Sequence, residues 1–328
     1  MLDLSPQSRQ PARLPWTLDR LMLECSIALG MSLTEGTVST YTSALNSYIT
    51  FCHLHNFTLD PTPDTLSFFV TWLCAHVKPD TVATYLSGIV NCLETHYPHA
   101  RTSRRHPLVA KTLAGCRRRF GTPRLRKKPA AAEDISRIAH SLPRPWSFDD
   151  ITFLTLLLCG FLGVLRLGEL TVPDSRPRTD YRKITSRATA HLTTSNFSFI
   201  LPAHKANQFF EGNKIIIVPR PHLLDPLPII KAYLSGRDKL FPFHPQLWLA
   251  SNGQPPRRSW FLRHLHSLGD KAFGGHSLRA GGATDLALHG ASLQVIQAAG
   301  RWASDAFQQY IRKNPFLIHA ALAQTPNA

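Results

Sequence analysis

A mainly helical chain of two domains is predicted, with a small antiparallel sheet in the second. The chain has 328 residues, room for two domains at ~100–200 residues each. Apolar residues recur at three- and four-residue steps through the first part of the chain, the period of helices with one buried face. Runs with the two-residue period of strands are confined to one stretch of the second part.

Residues 1–16 carry three prolines and little periodicity, so a flexible tail is expected. The next segment, 17–122, reads as a helical domain. Val38, Tyr41, Leu45, Tyr48, Ile49 and Cys52 form one apolar stripe. Thr62-Pro63-Asp64 then supplies a cap, a first-turn proline and a first-turn acid, ahead of a stripe of Leu66, Phe69, Val70, Leu73 and Val77. Lys78-Pro79-Asp80 starts another helix, with Val82, Tyr85, Leu86, Ile89, Val90 and Leu93 on one face. A fourth runs from about Pro107 to Phe120 and ends in Arg117, Arg118 and Arg119, cations that suit a helix C-terminus.

Residues 123–127 read as a basic linker to a second domain at 128–328. There, Glu133–Leu142 and Phe148–Gly160 read as helices, and Tyr181–Pro219 as strands. Within that stretch, Ser195–Leu201 and Ile215–Val218 are the apolar or alternating runs, joined by a turn that contains Gly212. Helices return from about Arg257. The second domain is therefore α+β.

The charge balance narrows the partner. There are 37 Lys and Arg against 21 Asp and Glu, a net charge of +16. A field of that sign favours a polyanion as partner, and DNA or RNA is the commonest one. Eleven of the cations lie between Arg101 and Lys128, where no acid occurs. Either this is a solvated linker, or Arg117, Arg118, Arg119, Arg124, Arg126, Lys127 and Lys128 contact phosphates. The six cysteines lack paired spacing and read as reduced, consistent with an intracellular protein. No leader peptide is expected. The longest apolar run, Ile151–Leu165, is shorter than the ~18–20 residues a membrane span needs, and it stops at Arg166.

Four short blocks carry chemistry: Phe161-Leu-Gly-Val-Leu-Arg166-Leu-Gly-Glu169, Leu201-Pro-Ala-His-Lys205, Gly275-His276-Ser-Leu-Arg279, and Gly300-Arg301-Trp302 followed by Tyr310. Each alone is weak. In this order and at these separations they resemble the tyrosine recombinases, the phage integrase-like family. The resemblance covers about residues 160–313, and the helical segment before it matches the family's SAM-like core-binding domain in size and position. The phrases LPAHKANQFFEG and HSLRAGGATDLALHGA are similar to Crypton-type recombinases of eukaryotic, especially fungal, mobile elements.

The resemblance implies a site-specific recombinase that cuts and rejoins double-stranded DNA through a 3′-phosphotyrosine, acts as a homotetramer on two sites, and needs no metal or cofactor. Tyr310 would be the nucleophile, Lys205 the general acid, His276 the proton handler, and Trp302 a supporting residue. The residue types fit the chemistry. Charge builds on the non-bridging oxygens as phosphorus becomes five-coordinate, and Arg166 and Arg279 can each fork onto them. Glu169 is the expected anionic partner of a buried Arg166. A phenol of pKa ~10 needs a base or a cationic site to attack near neutral pH. Lys214, across the hairpin from Lys205, stays open as the acid. Tyr310 follows Trp302 by eight residues where many relatives show nine. Arg301 and Arg312 read as backbone contacts or surface charge. A type IB topoisomerase with the same pocket, or a DNA-binding descendant that has lost catalysis, remains an alternative. The Crypton-like phrases and the Arg124–Lys128 run point to the nucleus.

Overall fold

The structure, a computed structural model, describes residues 14–123, 127–202, 211–269 and 271–302. The chain divides into two compact units, residues 1–124 and 125–328.

The first unit is helical. Its elements are α1 (Leu18–Gly30), α2 (Glu35–His55), α3 (Pro63–Cys74), α4 (Pro79–Leu93), α5 (Ala100–Arg105) and α6 (Pro107–Phe120). The starts follow from local chemistry. The hydroxyls of Thr34 and Thr62 accept from the N–H groups of Thr37 and Thr65, satisfying donors that the first turn leaves open. Proline opens α3, α4 and α6, where its missing N–H costs nothing. Tyr48, Phe51, Leu66, Phe69, Val82, Leu86 and Ile89 form the core, with the Tyr48 and Phe69 rings edge to face at 5.4 Å. The Tyr48 hydroxyl donates to the Asp60 carbonyl, so this buried phenol is not left unpaired. Helix α1 buries none of its residues. Arg117, Arg118 and Arg119 are exposed on the last turn of α6.

The second unit is built around α8 (Phe148–Leu162), which follows α7 (Ala132–Ser141). Every residue of α8 from Thr152 to Leu162 is buried, and its Thr152 hydroxyl turns back to the Phe148 carbonyl. After it come α9 (Leu167–Leu170), β1 (His191–Leu192), β2 (Phe197–Leu201), β3 (Asn213–Ile217), α10 (Pro226–Leu240), α11 (Arg258–Leu268), α12 (Ser277–Leu288) and α13 (Leu293–Gly300). The sheet is antiparallel in the order β1-β2-β3. Phe199 pairs with Ile215 on the buried face, and Ile200 with Lys214 on the exposed one. That alternation is the two-residue period of a half-buried strand.

Two parts of this unit depart from the sequence reading. Among the described residues of 181–219, short 3-10 turns occupy Tyr181–Lys183 and Arg187–Thr189, and only β1 to β3 are strand. Helix α10 lies where the sequence predicts no helix, between Pro219 and Arg257. Pro226, Pro228, Gly236 and a cation on its buried face obscure its pattern. The prolines sit in the first turn, where they are tolerated, and Asp225 caps the Leu227 N–H. The cation, Arg237, is 1 % exposed and donates to the carbonyls of Phe241, His244 and Gln246 and to Asp238. Burial there is compatible with charge because those acceptors replace water.

Candidate active site

Helix α8 ends in a tight corner. The Leu165 N–H donates to the Gly160 carbonyl and the Val164 N–H to the Phe161 carbonyl, the paired bonds of a Schellman motif. The corner residue, Val164, has φ +51°, a conformation usually left to glycine. A β-branched residue there is strained by roughly 1–2 kcal/mol. Arg166 follows at the head of α9. Its Nη1 donates to Glu169 Oε1 at 2.8 Å, and its backbone N–H donates to Oε2 at 2.9 Å. The arginine and the acid are thus held as a unit, Arg166 partly open to solvent and Glu169 almost closed off.

Helix α13 ends in the same way. The Trp302 N–H donates to the Gln297 carbonyl and the Arg301 N–H to the Ala298 carbonyl, with Arg301 also at φ +51°. This corner aims the Arg301 side chain at Glu169, where Nη2 donates to Oε2 at 3.0 Å. One carboxylate therefore holds two guanidiniums. Burial pulls the Arg301 guanidinium below its ordinary value, Glu169 opposes that pull, and neighbouring Arg166 adds to it.

Arg279 joins the two corners. It lies on α12, one turn after His276, which occupies the N-cap position without a side-chain capping bond and is exposed. Arg279 is 2 % exposed. Its Nη1 donates to the Val164 carbonyl at 2.7 Å, its Nη2 to the Gly300 carbonyl, and its guanidinium faces the Trp302 ring at 4.2 Å. The approach of α12 depends on Gly281 and Gly282. A Cβ on either would collide with a backbone oxygen, of Ala130 and Phe161 respectively. Val164, Ala283 and Ile296 pack behind the corners, with Trp302 against them.

Arg166, Glu169, Arg279 and Trp302 are thus tied into one network. Lys205, Tyr310, Arg124 and Arg126 lie outside the described residues. Lys214 lies on the exposed face of β3, opposite Ile200. Lys127 and Lys128 are exposed but engaged: Lys127 Nζ donates to the Lys271 carbonyl at 3.1 Å, and Lys128 Nζ stands 3.6 Å from Asp134. Two cations near the site escape the sequence reading. Arg301, expected as a backbone contact or surface charge, has a side chain that is 10 % exposed and paired with Glu169. Its signal is its position, nine residues before Tyr310. Arg258 packs its guanidinium over Gly275, the residue before His276, and no spacing announces it.

Among the described residues, His222, Asp285 and His289 have the side chains of a metal site, with ligating atoms all within 4.8 Å of one another. Each ring bonds to Asp285, His222 through Nε2 to the carboxylate and His289 through Nδ1 to the backbone carbonyl. The imidazoles are stacked at 3.8 Å and 7°, so an ion in the plane of one would lie out of the plane of the other. The Asp285 carboxylate already accepts from His222 Nε2 at 2.9 Å and from Arg220. No helix among the described residues is long and apolar enough to cross a membrane.

A buried arginine between two backbone corners, linked through Arg301 to a carboxylate-bound arginine and one turn from the exposed His276, is the candidate site. The integrase/recombinase XerD homolog of Selenomonas ruminantium is 23% identical over 325 residues, covering 94% of this chain and 91% of that protein. XerH site-specific recombinase bound to palindromic difH superposes with a TM-score of 0.62, at 14% identity over 87% of this chain and 79% of that one. A lambda integrase tetramer bound to a Holliday junction superposes at 0.55, with 14% identity over 89% and 76%. No family model matches the chain. The chain therefore shares the fold of these recombinases and is similar in sequence along nearly its whole length to an integrase/recombinase.

Proposed function

We propose that this protein is a site-specific DNA recombinase that cleaves and rejoins strands through a 3′-phosphotyrosine. The observation that carries the reading is the joining of Arg166 and Arg279 through Gly300, Arg301 and Trp302, the residues that lead toward Tyr310. A pocket of fixed guanidiniums stabilises the charge that a five-coordinate phosphorus places on its non-bridging oxygens.

In the proposed step, the Tyr310 oxygen bonds to phosphorus, and the bond from phosphorus to the 5′ oxygen breaks. His276 takes the phenol proton, and Lys205 gives one to the departing oxygen. Rejoining reverses these transfers with a different 5′ hydroxyl. The net charge of +16 and the exposed arginines of α6 support DNA as the partner. The relatives include a lambda integrase tetramer on a Holliday junction, which supports assembly of four copies of this chain on two sites. Service to a Crypton-like mobile element and residence in the nucleus are the finer parts of the proposal; they rest on the phrases around Lys205 and Arg279 and on the Arg124–Lys128 run.

The test is covalent capture. The chain is incubated with nicked duplexes of randomised sequence, and DNA that stays attached after denaturation is recovered and sequenced. A shared sequence with its 3′ end on Tyr310 is expected, and Tyr310→Phe should bind that sequence without attaching to it. Attachment that persists in Tyr310→Phe would remove the nucleophile assignment. Strand transfer between two captured sites separates recombination from simple relaxation of supercoils.

A further inference from the structure

We propose that Arg301 is a third phosphate-binding guanidinium of the pocket, presented beside Arg166 by their shared partner Glu169. The proposal rests on the recombinase reading and adds to it a residue that the resemblance does not assign.

Charge is the first argument. Glu169 accepts from Arg166 at 2.8 Å and from Arg301 at 3.0 Å, so one negative charge faces two positive ones. A purely structural ion pair needs one arginine. The second is a surplus cation whose side chain is 10 % exposed, where desolvation is costly unless an anion arrives. Arginine keeps its proton under such pressure, so the surplus charge persists.

The second argument is an unmatched donor. Arg301 Nη1 donates to the Ala299 carbonyl and Nη2 to Glu169, while the buried Nε has no acceptor. A buried N–H without a partner is unfavourable, and a non-bridging phosphate oxygen is an acceptor of the right charge. Geometry along the chain agrees. Arg301 sits at a left-handed corner that turns its side chain into the Arg166 site, and it precedes Tyr310 by only nine residues.

The experiment uses the nicked duplex captured by the unmodified chain, in two forms. One carries an ordinary scissile phosphodiester; the other carries a methylphosphonate, in which a neutral methyl group replaces one non-bridging oxygen. Single-turnover attachment is measured for the unmodified chain, Arg301→Met, Arg166→Met and the double variant. Loss of a phosphate-binding donor should slow Arg301→Met by about 10²–10³-fold on the phosphodiester. On the methylphosphonate it should approach the unmodified chain. The double variant should be slower than Arg166→Met on the phosphodiester, since two independent donors are gone.

A double variant no slower than Arg166→Met would overturn the proposal and leave Arg301 as a residue that only positions Arg166. An equal deficit of Arg301→Met on both substrates would overturn it as well. Thermal melting guards against collapse of the fold. If Arg301→Met melts early, Arg301→Lys takes its place, keeping the charge but losing the planar fork, and the same comparison applies. Failure of the unmodified chain to attach to any duplex counts against the recombinase reading itself, and this inference falls with it.

Discussion

Arg279 on α12 donates a 2.7 Å hydrogen bond to the carbonyl of Val164, the left-handed residue that turns the chain out of α8. The same guanidinium holds the Gly300 carbonyl at the end of α13, so one side chain fastens two helix ends. Arg279→Ala should therefore destabilise the fold as well as stop cleavage. Each buried carbonyl left without a donor costs about 1–3 kcal/mol. Urea denaturation should show a loss of roughly 2–6 kcal/mol for the pair. Unchanged stability would mean that neither corner depends on Arg279.

The packing of α12 on α8 makes a second prediction. Gly282→Ala forces a methyl group onto the Phe161 carbonyl oxygen, and helix backbone cannot give way locally. A loss of about 1–3 kcal/mol is expected, of the size seen for overpacking. Gly168→Ala is the control, because a Cβ there meets nothing within 4 Å. Equal stability of the two variants would show that α12 can shift without cost.

Salt dependence tests the basic segment. If Arg124, Arg126, Lys127 and Lys128 neutralise phosphates, replacing all four with Gln should flatten the plot of log affinity against log salt. The slope should change by about 0.9 for each phosphate no longer neutralised. Lys128 also lies near Asp134, so part of its charge is already answered within the protein. The expected change is accordingly smaller than four phosphates would give. A slope identical to that of the unmodified chain would identify the run as a solvated linker.

The proton donor can be found by changing the leaving group. An alkoxide, with a conjugate acid of pKa roughly 15–16 by analogy with water, leaves poorly unprotonated. A thiolate, with pKa about 8.5, leaves unaided. Sulfur at the bridging 5′ position should restore cleavage to Lys205→Ala and leave Arg166→Ala and Arg279→Ala impaired. Lys214→Ala should cleave the oxygen substrate nearly normally, in keeping with its place opposite Ile200 on the exposed face of β3. Rescue of Lys214→Ala in place of Lys205→Ala would move the acid across the hairpin.

Sequence is informative here where local rules govern. Thr62-Pro63-Asp64 and Lys78-Pro79-Asp80 mark helix starts because caps and first-turn prolines act within a few residues. The pairing of Arg166 with Glu169 is legible for the same reason, since a three-residue step places both on one face. Helix α10 is hidden because its buried Arg237 is satisfied by carbonyls up to nine residues further on, an arrangement that hydrophobic periodicity does not register. The inward turn of Arg301 is hidden because it depends on a partner 132 residues away. Charge alone does not distinguish an arginine on the surface from one turned inward by a left-handed corner.

The two strained corners bear on how the proposed recombinase would be controlled. Glycine at 164 or 301 would relieve the backbone but let each corner sample other conformations. Valine and arginine at φ +51° cost about 1–2 kcal/mol each and leave the corners few alternatives. The pocket dipoles are thereby oriented before any DNA arrives, and little reorganisation remains for the moment of reaction. On the proposed reading, a preorganised pocket of this kind has no resting state of its own. Restraint against premature strand cutting would then have to come from outside these two corners.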